Sequence, residues 1–256
     1  MAGEDIKEDI KNDIKADKKT LRTGLKETFG SRALLGIILS ALLMLLATLM
    51  SQGINNYLYA DYFKDTKALS LSAMLQLPVM VILAAFSTKL AVKFGKRECG
   101  IAGMLLSGIL YVVIGLLHVE NVWVYIGLIF FAMIGMSFFS MQCYALVTDV
   151  IDDNIDDKEV KTGKRDDGTI YGVYSFSRKI GQALAGGMSG WALAFIGYDE
   201  LAVAQTEQVA KGIYNISTFF PGIVYLLGAA VLFFIYPLSK ERVESNVAEL
   251  EKRHAK

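Results

Sequence analysis

Apolar positions in this chain fall in long unbroken runs, not at the spacing of a soluble amphipathic helix or strand. Six runs stand out, at 33–58, 69–91, 99–118, 122–147, 169–197 and 213–238. At 1.5 Å per helical residue each reaches across roughly 30 Å of hydrocarbon. Three of them, 99–118, 122–147 and 213–238, hold no Asp, Glu, Lys or Arg, whereas a soluble helix of that length keeps a polar face. The pattern predicts an all-α membrane protein with six transmembrane helices. Short turns at 59–68, 119–121 and 198–212 join them on one side; on the other there is one short connection and one of about twenty residues.

The divisions expected are a cytoplasmic amphipathic linker at 1–31, a transmembrane domain at 32–239 and a cytoplasmic tail at 240–256. In the linker, Ile6, Ile10, Ile14, Leu21, Leu25 and Phe29 recur near the helical period among seven acids and seven bases. That pattern suits either a solvated tail on the membrane surface or a connector from a preceding half. No cleavable leader is read, because the first apolar run begins only at Ala33.

Composition changes this picture little, but the placement of charge changes it a great deal. The chain of 256 residues is 54% hydrophobic with formal net charge +0, so nothing favours a nucleic-acid partner. Lys and Arg are counted by side. Through Arg32 there are eight, after the second helix four (Lys89, Lys93, Lys96, Arg97), between the fourth and fifth runs four, and in the tail five; the other side has Lys64, Lys67 and Lys211. The positive-inside rule therefore puts both termini in the cytoplasm of a multi-pass protein of the cell membrane, in contact with lipid. Cys99 and Cys143 lie in separate apolar runs and read as packing residues, and neither His118 nor His254 has neighbours that suit a metal.

The densest charge lies in TDVIDDNIDDKEVKTGKRDDGTIYG, residues 148–172. Its placement marks a water-facing segment. Asp149, Asp152 and Asp153 follow the fourth helix, where the macrodipole disfavours anions, and Lys161, Lys164 and Arg165 are at hand. Two readings stand: a gating latch between the fourth and fifth helices, or a solvated charge run.

Arg178 and Lys179 lie about 15 Å along the fifth helix. Ionised groups at such depth mark a pathway, an internal pair or a structural tie. Adjacent residues point about 100° apart, so Lys179 shares a face with Ser175 and Ala183, and Arg178 with Tyr174 and Gln182. Gly186, Gly187 and Gly190 offer a small face for helix packing. In the first helix, Gln52, Asn56 and Tyr59 fall at i, i+4 and i+7, suited to a hydroxyl-rich ligand or to anchoring at the interface.

YALVTDVID and KTGKRDDGTIYGVYSFSRKIGQALAGG resemble the signature of the glycoside-pentoside-hexuronide:cation symporters, the melibiose-carrier branch of the major facilitator superfamily. The resemblance covers nearly the whole chain and implies the carboxyl-terminal half of a twelve-helix carrier. It further implies a sugar bound between halves, alternating access by rocking, and coupling to Na+ or H+ bound mainly by an amino-terminal six-helix half. The resemblance implies no other cofactor, no metal and no catalysis. By this resemblance Lys179, Tyr174 and Ser175 contact the sugar region, and Asp149, Asp152 and Arg165 form the gate, to which the residues themselves add Lys161, Lys164 and Arg178. LAVKFGKRE resembles the superfamily loop motif, with Val92 where its acid usually stands. Alternatives are a half-carrier acting as a non-transporting partner, and a related carrier for a non-sugar solute.

Overall fold

The structure, a computed structural model, describes residues 32–162, 167–238 and 240–241, and of the helical residues in 150–171 and of 173 the backbone alone. Its elements are α1 (Arg32–Tyr57), continued by a π-helical turn at Leu58–Tyr62, then α2 (Thr66–Met74), α3 (Gln76–Phe94), α4 (Lys96–Leu117), α5 (Val122–Thr162), α6 (Asp167–Phe195) and α7 (Glu207–Phe234). Among the described residues there is no strand. Among the described residues, five spans are long and apolar enough to cross a membrane: Arg32–Tyr62, Thr66–Phe94, Lys96–Leu117, Val122–Asp149 and Glu207–Phe234. α6, at 29 residues, is also long enough but carries Arg178 and Lys179. The predicted linker at 1–31 and nearly all of the tail lie outside the described residues.

Three local differences from the sequence reading have plain causes. The second span starts early because Asp65 Oδ1 accepts from the backbone N–H of Lys67 and Ala68, both at 3.1 Å, capping α2. It then breaks at Leu75, where Pro78 has no N–H to give Met74 and is accommodated in the first turn of α3. α7 begins at Glu207 rather than 213 because Thr206 caps it, accepting from Val209 N–H at 3.3 Å. The largest difference is α5, whose 41 residues run on through most of the stretch expected as a loop. No Gly or Pro occurs between Met136 and Thr162 to interrupt it.

The helices pack in a repeated plan. α4 packs against α5 and α7, α7 packs against α1, α3 rests on α5, and α6 rests on α1. The run α1–α4 thus plays the same part as α5–α7, with α3 and α6 as equivalent outlying arms. Two runs that each cross three times enter from opposite sides, which makes this an inverted repeat. Two cores stack along the bundle, one around Ile37, Met104, Phe139 and Leu232, the other around Ile54, Tyr125, Ile129, Tyr214 and Tyr225. Small residues let the axes close: a Cβ added to Gly103 on α4 would come within 2.6 Å of the Gly135 carbonyl on α5. Beside that crossing the Ser107 hydroxyl donates to the Ala132 carbonyl at 2.7 Å.

Candidate functional site

α6 touches its neighbours along one narrow stripe. Tyr174, Gly181, Ala185 and Leu193 are the buried positions among its described residues. A Cβ on Gly181 would meet Leu42 Cδ2 at 2.6 Å, and one on Gly53 of α1 would meet Ser189 Oγ at 2.8 Å. The small face that packs is therefore Gly181–Ala185–Ser189, whose i, i+4, i+8 spacing is present in the sequence. Gly186, Gly187 and Gly190, expected as the packing face, are exposed, and a Cβ on any of them would meet nothing within 4 Å. Within this bundle they pack against no other helix.

The same stripe sorts the expected sugar-contacting residues. Tyr174, 2% exposed, lies in the core around Ile37 and Phe139, and its hydroxyl meets the Cys143 thiol of α5 at 3.4 Å. It therefore does not share an open face with Lys179. Lys179 is exposed, Ser175 half-buried, and Gln52 and Asn56 exposed. The contacts Leu42–Gly181 and Gly53–Ser189 make α1 and α6 parallel neighbours. Gln52 is thereby level with Ser189, ten residues or roughly 15 Å beyond Lys179 along the axis, so the structure does not gather these groups at one point. Tyr59, expected beside Asn56, is buried against Phe63 and Tyr125 at ring distances of 5.7 and 6.2 Å. The π-helical turn at Leu58–Tyr62 adds a residue per turn there, which breaks the i, i+4, i+7 register.

Arg178 is the best-held charge on α6. Its Nη1 donates to the Tyr144 hydroxyl of α5 at 2.9 Å, and its Cζ stands 5.5 Å from the Tyr144 ring centroid and 5.8 Å from that of Tyr174. Such ring contacts contribute about 0.5–2 kcal/mol each, which helps offset the cost of a cation at membrane depth. The sequence showed Arg178 and Tyr174 one turn apart on one face, but Tyr144 is 34 residues away and carries no sequence signal.

At the end of the bundle that carries Arg32, Asp149 accepts from Lys96 Nζ at 2.6 Å, joining α5 to the first residue of α4. Lys96 belongs to the short connection after α3, not to the long charged stretch from which a partner was expected. Gly95, with φ at 100°, is the one residue between α3 and α4 and aims Lys96 at α5. Lys240 Nζ donates to the Val92 and Lys93 carbonyls at 2.8 and 3.2 Å. Arg97 donates to the α7 carbonyls of Leu232 and Phe233 at 3.3 and 2.7 Å. The side chains of Asp152 and Lys161, and the whole of Lys164 and Arg165, lie outside the described residues. Among the described residues, no three His, Cys, Asp or Glu groups stand together to hold a metal.

A bundle of long apolar helices arranged as an inverted repeat, with two cations on an open arm, is the architecture of membrane transporters. A family model described as MFS/sugar transport protein matches residues 4–240, and the chain belongs to that family. It is similar to the uncharacterized symporter YjmB of Bacillus subtilis (strain 168), 34% identical over 66% of this chain and 35% of the relative. Similar too are the putative sulfoquinovose importer of Escherichia coli (strain K12), 29% identical over 69% of this chain and 37% of the relative, and the glucuronide carrier protein homolog of the same strain, 26% identical over 91% and 50%. The chain spans between about a third and a half of the length of these relatives.

Proposed function

We propose that the chain is the carboxyl-terminal half of a secondary active sugar:cation symporter that works by alternating access. The observation that carries this is the openness of α3 and α6. Each rests mainly on one helix of the bundle, α3 on α5 and α6 on α1, and α6 turns Lys179, Gln182 and its three exposed glycines away from it. A second, amino-terminal six-helix half fits against those arms, with Gly186, Gly187 and Gly190 allowing close approach. The sugar lies between the halves, with Lys179 and Ser175 as contacts and Gln52 and Asn56 further along the path. The names of the relatives, a glucuronide carrier homolog and a sulfoquinovose importer among them, support a carbohydrate cargo.

In this reading both termini are cytoplasmic, and the Lys96–Asp149 pair, with Asp152, Lys161, Lys164 and Arg165, forms the cytoplasmic gate. The coupling cation, Na+ or H+, binds mainly the amino-terminal half. Uptake of labelled sugar into vesicles holding the complete carrier tests the proposal. An inward Na+ or proton gradient is expected to accelerate uptake several-fold, and Lys179→Ala to abolish that acceleration. Uptake indifferent to both gradients would rule out symport.

A further inference from the structure

Among the described residues, Arg178 with Tyr144 is a charged arrangement to which the gate and the packing faces give no partner. We propose that these two residues form a subsite for the anionic group, carboxylate or sulfonate, of an acidic sugar. The inference rests on the sugar-carrier reading of the same open side of α6.

A guanidinium carries five N–H donors in a rigid plane. Tyr144 takes one of them at 2.9 Å, and the rings of Tyr144 and Tyr174 hold the plane in place. Among the described residues no carboxylate pairs with Arg178, nor with its neighbour Lys179. Asp149, the acid on α5 nearest in sequence to Tyr144, is engaged with Lys96. Two adjacent cations at membrane depth without a described counter-ion favour an anion arriving from outside the bundle. Arg binds planar or tetrahedral oxyanions through paired N–H groups, which a lysine cannot do.

Tyr144 adds the second half of the recognition. Its oxygen accepts from Arg178, so its own O–H proton is directed elsewhere, and at 57% exposure the residue is reachable from the open side. An anionic oxygen there receives both N–H and O–H donors. A neutral hydroxymethyl group at the same place leaves the guanidinium desolvated and unpaired, which is the stronger source of selectivity.

The test compares three labelled sugars that differ at one carbon, in vesicles containing the complete carrier: methyl glucoside, methyl glucuronide and the corresponding 6-sulfonate. Uptake of one of the acids is expected to exceed that of the glucoside by about tenfold or more, and Arg178→Gln to reduce that ratio by about tenfold, with partial recovery in Arg178→Lys. Equal uptake of acid and neutral sugar overturns the subsite while leaving the sugar-carrier reading intact. So does an Arg178→Gln carrier that loses both to the same extent, since the residue would then pair with a protein acid. No uptake of any of the three overturns the carrier reading and the subsite with it. If Arg178→Gln fails to reach the membrane, Tyr144→Phe carries the comparison, because it keeps the ring; an unchanged ratio there also overturns the subsite.

Discussion

Lys96 and Asp149 meet at 2.6 Å across the end of the bundle, tying the first turn of α4 to α5 about two-thirds of the way along it. Their side chains are 40% and 13% exposed, so the bond is only partly screened by solvent. A double-mutant cycle with Lys96→Ala and Asp149→Ala is expected to give a coupling of about 0.5–1 kcal/mol in thermal denaturation of the solubilised protein. Charge reversal at both positions should recover what either reversal alone loses. Purely additive effects would show that the two residues act independently.

Gly95→Ala tests how Lys96 is aimed. At φ of 100° an added Cβ is strained whatever the space around it, and here it would also press on the Glu98 carboxylate and on Lys240. A loss of roughly 1–2 kcal/mol is expected, together with disappearance of the Lys96–Asp149 coupling in the cycle above. A glycine replacement without effect would mean the turn tolerates a different backbone.

Tyr174 separates packing from sugar contact. Because the side chain is buried with its hydroxyl against Cys143, Tyr174→Ala should cost about 3–5 kcal/mol, the range for an emptied aromatic site. Tyr174→Phe keeps the ring and should stay within about 1.5 kcal/mol of the parent. Urea or thermal unfolding in detergent measures both, and a phenylalanine variant as unstable as the alanine one would assign the stability to the hydroxyl.

The two small faces of α6 should respond differently. Gly53→Val pushes into Ser189, and overpacking of this kind costs about 1–3 kcal/mol. Gly187→Val faces open space and should leave the melting temperature of this chain unchanged while lowering recovery of a co-expressed amino-terminal half. Equal destabilisation by both variants would mean that the exposed glycines pack within this bundle after all.

Much of the fold was legible because the bilayer demands unbroken apolar runs. Charge-free stretches located α4, most of α7 and the apolar part of α5 to within a turn or two. The errors came where one signal served two structures. Charge in residues 148–162 marked water-facing chain, but a helix leaving the membrane is charged as well, and the missing Gly and Pro were the better guide to its length. Small residues at four-residue spacing fall on more than one face of α6; only the position of α1 decides that Gly181–Ala185–Ser189 packs and Gly186–Gly190 does not. Periodicity on α1 placed Gln52, Asn56 and Tyr59 together because a π-helical turn, set by hydrogen bonding rather than composition, has no clear sequence mark. The Arg178–Tyr144 contact was invisible for a related reason: it joins helices that a linear pattern cannot align.

The uninterrupted length of α5 has a mechanical meaning. Its 41 residues make one rod of about 60 Å, roughly twice the thickness of the hydrocarbon it crosses. A stiff rod pivoting near its centre works as a lever: a tilt of about ten degrees displaces its Thr162 end by roughly 5 Å. Motion too slight to disturb side-chain packing at the pivot thereby becomes a stroke as wide as a backbone at the tip, and Asp149 rides on the arm between the two.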